Sequence, residues 1–242
     1  MNPQLVLDER KEGLVVTRGQ SSPDTPGWGR VPTRALERQR TKRDRIISVA
    51  MEQFATHGFE GARVDAIAAA SGVSKGAVFS YFTSKAGLFL AVYQAAASSF
   101  SPYLDAPAEA LDGGFFAVLT YWLEQTPHMA GEDWIPYRVT LLGNYCSDLQ
   151  LRRWITQYLQ REDPYGTRAF VQFGIDHGEV RTDIDADMIV SMVDWLMDRY
   201  QDAMITEELD PGLFGAHAPS QDARQVRVRQ FVELLRGAVG AR

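Results

Sequence analysis

The chain has one cysteine, Cys146, among 242 residues, so no internal disulfide can form. Its four histidines are scattered, without the paired spacing that a zinc site needs. No run approaches the roughly 18 apolar residues of a membrane-spanning helix. The opening stretch MNPQLVLDERKEG mixes charges of both signs and has no apolar centre, so nothing in it reads as a secretion signal. A cytoplasmic protein without metal or cofactor is the expectation. Catalytic signatures are also missing: there is no G-x-S-x-G, P-loop, dinucleotide fingerprint or H-E-x-x-H. Cys146 has Asp148 nearby but no evident base, so it reads as an inert thiol. The carboxylates of TDIDAD lead into a helix without the glycine and terminal glutamate of a calcium loop, so helix capping explains them. No catalytic residue is assigned, and the chain is expected not to be an enzyme.

Excess positive charge is lacking overall, since the formal net charge is −6. Its distribution is uneven, however. Residues 30–90 hold ten Lys/Arg against five Asp/Glu, whereas residues 91–242 hold 12 against 22. A basic segment joined to an acidic remainder suits a protein of which one part meets a polyanion.

Alternating strand-type patterns are scarce and helical periodicity is everywhere, so the class is all-α. Residues 1–33 contain the Gly-, Pro- and Ser-rich GQSSPDTPGWGRVP and read as a flexible tail, with VLDERKEGLVV as a brief structured patch within it. The basic run RALERQRTKRDR follows, a solvated extension or an arm that adds electrostatic attraction to phosphates. Thr41 and Asp44 form a capping-box pattern ahead of a helix with Ile46, Ile47, Ala50, Met51 and Phe54 on one face, stopped by His57-Gly58. Short helices over 64–71 and from Ser74 to Phe82 flank a turn at Gly72-Val73, and Ser84 caps a fourth helix. Val78 and Phe82 are expected in the core, and helical spacing puts Phe79 there too. Further helices are expected over 107–125, 134–147, 149–177, 185–207 and 221–239, with Pro164 dividing the third of these.

Two short helices around a tight turn match the helix-turn-helix, whose second helix enters the major groove. The residues GFEGARVDAIAAASGVSKGAVFSYFTSKAGLF (58–89), preceded by IISVAMEQFATHGF, resemble the DNA-binding domain of TetR-family transcriptional regulators. The likeness covers about 40–93 and rests on the ordered set Gly58-Phe59, Val64, Ile67-Ala68, Gly72-Val73-Ser74, Gly76, Tyr81-Phe82 and Ser84-Lys85. It implies a DNA-binding domain over 34–93 and a helical ligand-binding and dimerising domain over 94–242. It also implies DNA contacts at Ser74, Lys75, Gly76, Ala77 and Ser80 on the recognition helix, with Tyr81 and Lys85 at phosphates. Three departures stand out. Ala62-Arg63 replaces a common Thr-Thr, so Arg63 is the candidate for the lost phosphate contact. Asp65 sits where basic or polar residues are common, and capping of its own helix accounts for it. Phe79 replaces a usual tyrosine.

In the remainder, HGEVRTDIDAD resembles the family's link between its last two long helices. Apolar stripes over 185–207 and 221–239 suit a two-fold homodimer. Trp122, Met129, Trp134, Tyr137, Leu141, Tyr145, Trp154, Tyr158, Phe173 and Trp195 are the candidates for an apolar effector pocket, or for plain core. His128, His177, Arg138 and Asn144 are candidate polar anchors. The resemblance thus implies a repressor released from operator DNA by a small molecule. An activator, a ligand-blind regulator, or an all-α enzyme or binding protein with a vestigial head are the alternatives.

Overall fold

The computed structural model describes residues 4–8, 13–17, 33–210, 212–214 and 220–242. Side chains of 4–8, 13–17, 33–40 and 129–130 lie outside the described residues, and so does most of the tail. Apart from one hairpin the described elements are helical. The hairpin pairs β1 (Gln4–Asp8) with β2 (Gly13–Thr17) antiparallel, Gln4 opposite Thr17 and Asp8 opposite Gly13, at the patch anticipated in the tail. No helix among the described residues is long and apolar enough to cross a membrane, and none of their His, Cys, Asp and Glu side chains group as a metal site.

Eleven α-helices are described. They are α1 (Thr33–Gly61), α2 (Val64–Ala70), α3 (Lys75–Phe82), α4 (Lys85–Ser99), α5 (Ala108–Asp112), α6 (Phe115–Glu132), α7 (Trp134–Asn144), α8 (Leu149–Glu162), α9 (Thr167–Asp176), α10 (Ala186–Ile205) and α11 (Gln221–Val239). Their packing forms two compact units. One holds residues 20–99 and 133–161, the other 1–19, 100–132 and 162–242.

In the first unit, α4 and α7 pack on α1, and α2 and α3 close the head. Ile46, Phe54, Ile67, Val78, Phe82, Leu88 and Phe89 are buried there, with the rings of Phe54 and Phe89 edge to face at 4.9 Å. Gly143 lets α7 approach α4: a Cβ at that position would lie 2.5 Å from the Tyr93 ring. Tyr93 then donates its hydroxyl hydrogen to Asn144 Oδ1 at 2.8 Å. The second unit is built on α6, with α9, α10 and α11 around Phe115, Phe116, Leu119, Phe170, Val193, Val228 and Val232.

Helix boundaries depart from the sequence reading in three places. The first helix begins at Thr33, so the Thr41/Asp44 pattern lies inside it. RALERQR contains strong helix formers and no breaker, and propagation costs less than a new nucleus. α6 runs through Pro127 to Glu132. Proline there removes one backbone bond, and surrounding packing outweighs the loss. The segment 107–125 is also split, since Gly114 (φ 82°) separates α5 from α6. Pro164 does divide 149–177, into α8 and α9.

Candidate nucleic-acid interface

The turn between α2 and α3 is specified by local chemistry. Gly72 takes φ 65°, in the left-handed region that favours glycine. Its N–H bonds Ala69 O at 3.1 Å and the Val73 N–H bonds Ala68 O at 3.0 Å, the paired bonds of a Schellman cap. Ser74 then caps α3, its Oγ accepting from Ala77 N at 3.1 Å. Two residues after α3, Ser84 Oγ accepts from Gly87 N at 3.0 Å to open α4. Between them Thr83 holds φ 63°, a rare setting for a β-branched residue that turns the chain sharply.

α3 therefore presents two contrasting faces. Val78 and Phe82 are buried, while Lys75, Gly76, Phe79 and Ser80 are exposed, with Ala77 and Tyr81 between. Phe79 corrects the expectation that it belongs to the core: it is 36% exposed, against 6% for Phe82. The reason is spacing. Phe79 lies four residues from Lys75 and so shares its face, whereas Val78 lies four from Phe82.

Gly76 is more informative still. A Cβ added there would meet only Ser74 Oγ, at 3.9 Å, and the backbone has no positive φ. Nothing inside the described chain requires glycine, which costs a helix roughly 0.5–1 kcal/mol relative to alanine.

The charged groups around α3 are held in place. Lys75 Nζ pairs with Asp65 Oδ1 at 2.9 Å, both side chains about half exposed. Asp65 also stands in the first turn of α2, where an acid complements the helix dipole. Arg63 occupies the exposed N-cap position of α2 and makes no cap bond with its side chain. Lys85, the first residue of α4, donates to Glu60 O at 3.0 Å and lies 5.1 Å from the Phe59 ring centroid. Gly58 (φ 70°) interrupts α1 just before this point. In the preceding turn Arg138 of α7 donates from Nε to Ala55 O at 2.6 Å. Carbonyls at a helix end lack their usual partners, and both cations supply one. The arrangement braces the end of α1 from two sides. Arg138 and Asn144, considered as effector anchors, are thus engaged inside the first unit.

The ten aromatic and apolar pocket candidates do not gather in one unit. Tyr137 and Tyr158 are buried in the first unit with Leu141 and Trp154 partly so, while Trp134 and Tyr145 are exposed. In the second unit Trp122 donates its Nε1–H to Leu104 O at 3.1 Å and packs 4.4 Å from the Phe170 ring, with Phe173 alongside. Trp195 is 67% exposed on α10, in company with Met188 and Leu196.

Sequence reading missed the acids of α10. Asp194 accepts a bond from the Thr167 hydroxyl, and burial together with Asp163 pushes its carboxyl up to about 6 despite that bond. Burial, then Asp194 and Asp202, push Asp198 up to about 8. Their i, i+4, i+8 spacing was the available signal. Of the TDIDAD acids only Asp185 caps, its Oδ1 accepting from Asp187 N and Met188 N; Asp183 is held near 2 by its bonds from Arg181, and Asp187 pairs with Arg168.

Comparison with known proteins agrees with this geometry. Residues 46–92 match the family described as bacterial regulatory proteins, tetR family. A repressor from Corynebacterium glutamicum, "HTH-type transcriptional repressor AcnR", is 26% identical over 180 residues, covering 74% of this chain and 90% of that protein. Its counterpart from Corynebacterium efficiens is 27% identical over 171 residues, 71% of this chain and 86% of the other. Among solved structures, the transcriptional regulator FadR from Bacillus subtilis in complex with stearoyl-CoA superposes with a TM-score of 0.58 at 20% identity. That match covers 79% of this chain and 96% of FadR. With its Schellman-capped turn and serine-capped α3, the chain carries over residues 46–92 a segment that matches the tetR family of bacterial regulatory proteins, and the rest of the chain resembles regulators of that family in fold.

Proposed function

We propose that this protein is a sequence-specific repressor that places α3 in the major groove of operator DNA as a two-fold dimer. The observation that carries the reading is Gly76, whose missing side chain leaves room that nothing within the described chain uses. Ser74, Lys75, Gly76, Ala77 and Ser80 form the groove face, while Arg63, Tyr81 and Lys85 flank it as phosphate ligands. Relatives named as repressors support the direction of control.

Dimerisation is supported by the exposed apolar residues of α10 and α11, among them Met188, Trp195, Leu196 and Leu234. One reading helix reads few base pairs, and a two-fold partner doubles the site. A small molecule that binds one spacing of the two heads better than another would shift their population and release the DNA. Trp122 and Phe173 are the effector-pocket candidates that pack around the Phe170 ring. A cytoplasmic location fits a protein that must reach the chromosome.

Footprinting on the chain's own upstream DNA tests this. Protection should fall on an inverted repeat whose half-site centres are one helical turn or a multiple apart. Protection without two-fold symmetry, or none, would reject the dimeric-repressor reading.

A further inference from the structure

The exposed face of α3 carries little hydrogen-bonding capacity that is uncommitted. Ser80 donates its hydroxyl hydrogen to Ala77 O at 2.7 Å, and Lys75 is paired with Asp65. Gly76 offers no side chain and Ala77 only a methyl group. The large apolar side chain on this face is Phe79, 36% exposed beside the ion-paired Lys75. It is the sole large apolar side chain classed as exposed among residues 41–99, a stretch that buries Phe54, Phe82, Phe89 and Tyr93. Phe79 stands outside the fully buried core set of Val78 and Phe82, with about a third of its surface open to solvent.

A phenyl ring has no conventional donor or acceptor and reads no hydrogen-bond pattern. In the major groove it discriminates through apolar contact, and the apolar group displayed there is the C5-methyl of thymine. Stacking on a base would require that base to leave the duplex, which the middle of a groove-facing helix does not arrange. We infer that Phe79 is a specificity-determining residue that reads a thymine methyl group in each half-site. Phe79 lies one turn, about 6 Å, along α3 from Lys75. The thymine therefore sits within about two base pairs of any base that Lys75 addresses. This inference rests on the DNA-binding reading and adds to it a stated base and atom.

The test uses full-length protein and duplexes selected from a random pool. Each thymine of the selected site is replaced singly by deoxyuridine, which keeps every hydrogen-bonding group and lacks only the methyl. At one position per half-site the replacement should weaken binding roughly fourfold, the scale of one buried methyl group. Phe79→Ala should weaken binding to the thymine duplex by at least that factor and abolish the difference between thymine and deoxyuridine. Because Phe79 is exposed, its melting temperature should stay close to that of the parent, which separates readout from unfolding. If deoxyuridine is tolerated at every position, or if Phe79→Ala keeps the same sensitivity, the inference is overturned. If no preferred sequence emerges from the pool, DNA recognition itself fails and the inference falls with it.

Discussion

Lys85→Ala separates the intramolecular contacts of one ammonium group from the phosphate contact proposed for it. Lys85 donates to Glu60 O at 3.0 Å and stands over the Phe59 ring. A hydrogen bond from a charged donor at a partly exposed site contributes about 1–1.5 kcal/mol, and the ring contact adds about 0.5. Against this, a cation in the first turn of α4 opposes the helix dipole by about 0.3–1 kcal/mol. The net loss on truncation is about 1 kcal/mol, a fall of roughly 2–4 °C in melting temperature for a chain of this length. The DNA effect is separate. Each phosphate contact contributes about 0.9 to the slope of log K against log salt, so a dimer lacking two should lose about 2. Fluorescence anisotropy over a salt series, with specific and random duplexes, reads that slope. Both duplexes should weaken together, and Lys85→Arg should restore most of the slope. A changed preference between duplexes at constant slope would show that Lys85 is not a phosphate ligand.

Three further perturbations follow from the geometry. Gly76→Leu should abolish operator binding at an unchanged melting temperature, whereas Gly76→Ala, its Cβ 3.9 Å from Ser74 Oγ, should fold at least as well as the parent; retained affinity in the leucine variant would make Gly76 incidental. Gly143→Ala drives a methyl group to 2.5 Å from the Tyr93 ring and 3.0 Å from Ile155, and thermal unfolding should show a loss of about 1–3 kcal/mol. Asp198, raised to about 8 by burial and by Asp194 and Asp202, binds its proton more tightly folded than unfolded. Its ionisation therefore removes stability as pH rises from near 4 to 8. Asp198→Asn should gain roughly 2–3 kcal/mol near pH 8.5, discounted for partial exposure, and almost nothing near pH 4; equal gains at both would refute this.

The head was legible because its signals are local. Gly72, Ser74 and Ser84 each act within three or four residues, through bonds that need no distant partner. The start of α1 was obscured because Thr41 and Asp44 imitate a cap inside a segment that has no breaker upstream. Pro127 looked like a stop, yet the packing of α6 carries the helix past it. A reading of helical spacing puts Phe79 in the core beside Phe82, although its four-residue spacing from Lys75 puts it on the other face. The bonds from Lys85 to Glu60 and from Arg138 to Ala55 span 25 and 83 residues. The first ties α4 to the end of α1 and the second ties α7 to α1, and no spacing in the sequence announces them.

The central claim is that this surface recognises a particular DNA sequence. Its most direct measurement is the ratio of affinities, at physiological salt, for a duplex from the chain's own upstream region and for a shuffled duplex of equal length and composition. The account predicts a ratio of at least about 10³, lost in Gly76→Leu. Equal affinity for the two duplexes would contradict it.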